Sequence, residues 1–245
     1  MITKTNIIVL RTVRYSESSL IATVFSREHG KIAVIAKGAK KPKSKFAGLI
    51  EPGKILSVIY YFKPTRSVQT LSDASCEIRL DSLTSDIEKM AIGMSVVELV
   101  SQLIHEGEVN EPVYEFTRNF LIWLHEQDHV TRLIFPYVQV RLAHLLGLGL
   151  QLENEGIQKG RLFFNISAGT LSSTPAPNHS ERLTSNQQQF LRQAVSTRSY
   201  TILKQNIPKN ELSELIDHLD KYFRYHLEGI KPRKSDAIFE QILRN

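Results

Sequence analysis

Over the first 80 positions, apolar residues come in short runs with strand-like composition. Ile7-Ile8-Val9-Leu10 leads into Thr12, Val13 and Tyr15. Leu20 to Phe25 follows, then an Arg27-Glu28-His29-Gly30 turn and the run Lys31 to Ala36. Ile55 to Phe62 and Val68 to Ile78 complete the set. The runs are rich in β-branched and aromatic residues and are separated by Gly, Pro, Ser and Lys, which predicts five strands. Five strands in so short a span suit a small closed barrel, because closure removes the apolar edges an open sheet would present.

From Asp81 the period lengthens to that of a helix. Ser85-Asp86-Ile87-Glu88 reads as a capping box with Ser85 at the N-cap and Glu88 at N3. Behind it Ile87, Met90, Ala91, Met94, Val97, Leu99 and Leu103 keep helical spacing. Asn110-Glu111-Pro112 opens a second helix that reaches about Glu126. A third runs from Val130 to Leu146, stopped by Gly147 and Gly149, with Pro136 marking a kink or the true start. Residues 150–184 are weakly patterned and predict an irregular insert with one strand-like piece, Arg161 to Ile166. Helices resume at about Ser185–Ala194 and Asn210–Leu227, with Gly229 near the end of the latter, and a last one starts at Ser235. The predicted class is α+β and multi-domain: a barrel over residues 1–80 and a helical domain over 81–245.

Composition narrows the function. Cys76 is the only cysteine in 245 residues, which excludes an intrachain disulfide and a multi-cysteine zinc site and fits a reducing cytosol. The N-terminal apolar run is broken by Arg11 and Arg14, unlike a secretory signal, and no apolar stretch approaches a membrane span. These features predict a cytoplasmic protein with no membrane partner. Charge is unevenly placed. Residues 1–80 hold fourteen Lys/Arg against five Asp/Glu, and the rest hold seventeen against twenty. Lys37, Lys40, Lys41, Lys43 and Lys45 fall within nine residues between two strand-like runs. A basic N-terminal third on a mildly acidic remainder points to a polyanion partner. The bland alternative for the lysine run is a solvated face.

Four stretches together resemble the RecO family of bacterial DNA-repair proteins. They are Val9-Leu10-Arg11-Thr12 with Tyr15-x-Glu17-x-x-Leu20, and Phe25 to Lys31 with Ala36-Lys37-Gly38-Ala39. Val140-Arg141-Leu142 through Leu146-Gly147-Leu148-Gly149 is the third, and Gly229 to Ser235 the fourth. The resemblance implies an N-terminal OB-fold and a helical C-terminal domain; for this chain the expectation is action by scaffolding and annealing, with no cofactor, neither ATP nor metal. It implies binding of single- and double-stranded DNA, strand annealing, and help in replacing single-strand-binding protein with the recombinase. The partners it implies are RecR, often RecF, and the acidic C-terminal tail of single-strand-binding protein. Many members of the family carry four cysteines that hold a structural zinc after the central helix; here Leu152 to Leu183 contains none.

Candidate site residues follow. The five loop lysines neutralise phosphates, a task that needs charge without exact geometry. Arg11, Arg14, Lys63 and Arg66 extend the basic surface, and Tyr61 and Phe46 are the candidate base-stacking rings, with Tyr15, Tyr60 and Phe62 nearby. Alternation puts Tyr60 and Phe62 on one face of their strand and Tyr61 on the other. For a partner tail, Arg141 with Leu142 and Leu145, together with Lys231 and Arg233, offers apolar ground with a basic rim. The rival chemistry is His125-Glu126-Gln127-Asp128-His129, which matches the H-E-x-x-H pattern of zinc peptidases. It lies where the apolar helical pattern gives out, so a polar helix end with a histidine at the C-terminal dipole is the simpler reading. Phosphate-loop, nucleophile-elbow and dinucleotide motifs are missing. The expectation is therefore a non-enzymatic recombination mediator, with a zinc metallopeptidase and a general OB-type nucleic-acid-binding module as alternatives. Cys76 is expected to be a packed strand residue.

Overall fold

The structure is a computed structural model that describes residues 1–153, 162–196, 200–233 and 235. Strands β1 (Ile2–Arg14), β2 (Leu20–Ser26), β3 (Gly30–Ala36), β4 (Ile55–Tyr61) and β5 (Val68–Ile78) close a barrel in the order β1-β2-β3-β5-β4. All pairs are antiparallel except β3 with β5. The long first strand pairs with β4 through its first half and with β2 through its second, and Ile8 faces both Phe25 and Ile55. A bulge between Val9 and Arg11 bends β1 where it passes from one partner to the other. This is an OB-type five-stranded barrel.

Alternation decides which residues fill it. Ile7, Val9, Ala22, Val24, Val34, Ala36, Leu56, Val58, Tyr60 and Leu71 point inward and are buried. Residues 37–54 between β3 and β4 form successive turns, closed by bonds such as Lys41 N–H to Gly38 O and Ala47 N–H to Ser44 O. Their apolar members Ala39, Phe46 and Ile50 drop into the barrel core. The lysine loop is therefore anchored from beneath, with burial of the Phe46 ring contributing about 1.5–3 kcal/mol.

Helices α1 (Ser82–Ser85), α2 (Ile87–Leu103) and α3 (Glu111–Glu126) share one compact unit with the barrel, Met1–Asp128 together with Arg233–Ser235. The cap of α2 differs from expectation. Asp86, not Ser85, is the N-cap, its carboxylate accepting from the Glu88 and Lys89 amides at 2.9 and 3.1 Å. Ser85 instead ends α1 and donates its hydroxyl to Asp81 O. A carboxylate at the N-cap also gains from the helix dipole. Asn110 caps α3 as the sequence predicts. Phe25 points out of the barrel and packs edge-on against Tyr114 of α3, ring centroids 5.5 Å apart. Cys76 departs from its expected packing: it is exposed, and lines a cavity of about 520 Å³ with Ile78, Leu83 and Met90.

The second compact unit takes the described residues from His129 to Pro232. Helix α4 (Ile134–Leu145) starts late, with Pro136 in its first turn, where the missing N–H costs nothing. Helices α5 (Ser185–Ser196) and α6 (Lys209–His226) flank a 3-10 turn at Tyr200–Lys204. The predicted irregular insert is corrected. Four short strands, β6 (Gln151–Leu152), β7 (Phe163–Asn165), β8 (Thr170–Ser172) and β9 (Ser180–Arg182), form a sheet in the order β6-β8-β7-β9. Phe164 and Leu171 are its buried apolar side, and the Phe164 ring lies 5.4 Å from that of Tyr222 on α6. The side chain of Asn165 ties the polar side together: Nδ2 donates to Ser172 Oγ and Thr174 O, and Oδ1 accepts from Ala176 N and Ser180 Oγ. Strands of two or three residues carry too little alternation to be read from sequence. Arg161 and the helix predicted to begin at Ser235 lie outside the described residues, apart from Ser235 itself, which donates from N and Oγ to the Glu98 carboxylate.

Candidate nucleic-acid interface

The outer surface of the barrel has two parts. Ile8, Leu10, Phe25 and Ile55 point outward yet are buried within the first unit. The other part is open. Following the pairings from strand to strand gives one outward row, Val13–Ile21–Ile35–Thr70–Tyr61–Ile2, that runs round the barrel and returns to β1. Tyr61 is 47 % exposed and Ile2 65 %. At the adjacent level Arg11, Thr23, Ala33 and Val68 form a parallel row. Neighbouring strands lie about 4.8 Å apart, so the six-residue row is about 24 Å long.

Basic loops stand at both ends of β3. Beyond Ala36, Lys37, Lys40, Lys41, Lys43 and Lys45 are all exposed. Among the described residues the first four have no ion-pair partner, whereas Lys45 Nζ lies 3.3 Å from Asp73 in an exposed pair of little worth. The turn after β1, with exposed Arg14 and with Tyr15 65 % exposed, is fastened to this loop by the Lys40 amide donating to Ser18 O at 3.0 Å. Near the other end, Lys63 and Arg66 are exposed on the loop between β4 and β5. Gln69, buried beneath that loop, holds its shape: Oε1 accepts from Lys63 N at 2.8 Å, and Nε2 donates to Lys63 O and Arg66 O. The arrangement offers phosphate-binding charge at each end of a half-apolar strip with two accessible tyrosine rings.

Phe46 is corrected: at 4 % exposure it belongs to the barrel core, with the Lys45 ammonium 5.4 Å from its ring centre. Tyr60 is fully buried, its hydroxyl 2.6 Å from His29 Nδ1. Phe62 is half-buried and stacks on His29 at 3.7 Å and 17°. Burial pushes the Tyr60 hydroxyl up and the His29 imidazole down, so both are neutral at pH 7. Tyr15 adds to the surface, and Gln69 supports it from beneath. The first is legible as an aromatic in a turn between strands. The second gives no signal, since a buried glutamine under a loop is a tertiary feature.

In the second unit Arg141 is half-buried on α4. It lines a small cavity of about 140 Å³ with His144, Val140, Leu150, Ala194 and Val195. Leu142 is corrected to the core, fully buried, while Leu145 is half-buried. Lys231 is exposed in this unit, and Arg233 is buried in the first. The H-E-x-x-H reading fails on backbone geometry. Helix α3 ends at Glu126, and Gln127 is extended (φ −73°, ψ 137°), so His129 does not follow His125 one helical turn on. The His125 ring is engaged elsewhere, Nδ1 lying 2.7 Å from Ser82 Oγ.

Comparison with known proteins agrees with this architecture. The family described as "Recombination protein O N terminal" matches residues 1–78, and "Recombination protein O C terminal" matches residues 84–236. The chain is similar to a protein of Chlorobium phaeobacteroides named DNA repair protein RecO, 33% identical over 99% of each chain. It is also similar to proteins of the same name from Salinibacter ruber, 27% identical over 98% of this chain and 94% of the relative, and Exiguobacterium, 27% identical over 100% and 98%. No described helix is long and apolar enough to cross a membrane. With the barrel and the second unit both covered, and in that order, the chain belongs to the RecO family of DNA repair proteins.

Proposed function

We propose that this chain is a non-enzymatic recombination mediator that binds DNA across the open face of its barrel. The observation that carries the proposal is the exposed row through Tyr61, bracketed by a four-lysine cluster without acidic partners among the described residues and by the Lys63–Arg66 loop. The lysines neutralise phosphates, Tyr61 and Tyr15 stack on bases, and Arg11, Arg14, Lys63 and Arg66 continue the charge along the strip. Lysine contacts to phosphate read no base, so binding is independent of sequence. Neutralised strands that keep their bases free can pair, which is how the surface serves annealing.

The second unit supports capture of a protein tail. Arg141 and His144 beside Val140, Leu150 and Ala194 give a basic and apolar niche for the acidic C-terminal tail of single-strand-binding protein. RecR and RecF as further partners, and a cytoplasmic, nucleoid-associated site of action, rest on the family resemblance. The test is a fluorescence-anisotropy titration of labelled single-stranded DNA at several salt concentrations. Replacing Lys37, Lys40, Lys41 and Lys43 by Ala should weaken binding to all sequences alike. It should also reduce the slope of log K against log salt by roughly 3, about 0.7 per lost phosphate contact. Unchanged affinity and slope would move the DNA surface elsewhere.

A further inference from the structure

We infer that the cavity under the loop between β4 and β5 receives one unstacked base of a strand lying across β3. The inference rests on the DNA-binding reading above and names a subsite of it. The cavity measures about 360 Å³, within the range of sites that enclose small organic groups. It lies at the far end of β3 from the lysine loop: Lys31, Ile32 and Ala33 of that strand form one side, and Phe62, Arg66 and Gln69 another. From Ala36 to Lys31 is about 17 Å of strand, so DNA held by the lysines and tracking β3 arrives at this opening.

Its lining divides by chemistry. The stacked His29–Phe62 pair supplies a flat aromatic wall, and both rings are uncharged. Ala33 is the smallest of the three β3 side chains that line the cavity. Glu28, whose carboxylate also accepts from the Thr5 hydroxyl, and Glu106 are further lining residues. They repel phosphate and accept hydrogen bonds from base N–H groups, so the uncharged end of a nucleotide faces inward. Arg66, exposed, lining the cavity and without an ion-pair partner among the described residues, stands where the phosphate would remain. Lys31 does not compete for that phosphate, since its ammonium is committed to Ser101 O at 2.8 Å. The three bonds of Gln69 hold the loop in place before any ligand arrives, which lowers the ordering cost of binding.

Two measurements test this. In the first, the full chain is titrated with a thymidine oligonucleotide and with an abasic strand of equal length. The wild type should prefer the base-bearing strand at least about fivefold, the low end of one base stacking on an aromatic wall. Ala33→Leu, which takes up space in the cavity, should lower that preference, and should lower it again in a Tyr61→Ala background, because the cavity and Tyr61 hold different bases. In the second, thymidine 5′-monophosphate should shift the backbone amide resonances of His29, Ala33 and Ser67 in the wild-type protein and leave those of Lys40 and Lys41 in place. A wild type that binds both strands equally, or an Ala33→Leu protein that keeps the full preference, would overturn the subsite while leaving DNA binding standing. Failure of the wild type to bind either strand would overturn both. Mononucleotide shifts confined to the lysine loop would also count against the cavity.

Discussion

The Asn165 side chain ties the small sheet of the second unit together through four hydrogen bonds, and its removal should be costly. In Asn165→Ala, four bonds are lost at once. Three of the groups left behind have a second partner. Ser172 Oγ still donates to Thr174 O at 2.6 Å, which keeps both occupied, and Ser180 Oγ can turn to Ala176 O at 3.1 Å. Among the described residues the Ala176 amide keeps none, its bond to Oδ1 at 2.9 Å being lost. One orphaned N–H costs about 1–3 kcal/mol, and the weakened remainder adds about 0.5–1.5 kcal/mol. The expected loss is thus about 2–4 kcal/mol from the second unit. With a urea m-value of about 2 kcal/mol/M, the midpoint should fall by about 1–2 M. The assay is urea unfolding followed by far-UV circular dichroism, with hydrogen exchange over residues 163–182 to localise the effect. Asn165→Asp keeps the acceptors but sets a carboxylate against Thr174 O, so it should also destabilise and should recover on acidification. A midpoint shift below about 0.3 M for Asn165→Ala would refute the claim that this side chain orders the small sheet.

Other expectations follow from particular contacts. Gly30→Ala should destabilise the barrel by at least about 2 kcal/mol in thermal or urea unfolding, because Gly30 has φ +64° and a Cβ there would overlap the Glu108 carbonyl. Gln69→Leu strips three bonds from the loop carrying Lys63 and Arg66, and should lower DNA affinity in anisotropy titrations while the barrel still melts cooperatively. Burial holds the His218 imidazole below its usual value, against the opposing pull of Glu181. The unfolded chain therefore takes up the proton first. His218 contributes stability that is present at pH 7 and lost as pH falls below about 6.5, and His218→Gln should flatten that decline in unfolding curves at pH 5–7. Arg141→Glu should weaken binding of an acidic, amphipathic C-terminal peptide, measured by calorimetry, more than it weakens binding of DNA.

The sequence by itself determined the strands of the barrel and its longer helices. Short β-branched and aromatic runs between turn residues, and helical spacing behind Asp86 and Asn110, are local patterns that need no distant partner to be read. It also determined the concentration of lysines after β3, since charge at a polar turn depends on no distant residue. Tertiary structure decided what those patterns touch. Phe46 follows directly on Lys45 at the end of the lysine run and reads as a surface ring, yet the turn that carries it folds back into the barrel end. Leu142 and Arg141 are adjacent, and only the packing of α4 sends one into the core and leaves the other at a cavity. The sheet of β6 to β9 depends on Asn165 meeting groups seven to fifteen positions away, too short in strand length to leave a period. The row that joins Tyr61 to Ile35 and Val13 exists only after β3 and β5 pair in parallel and the barrel closes, because strand register is a property of the closed sheet and not of any one strand.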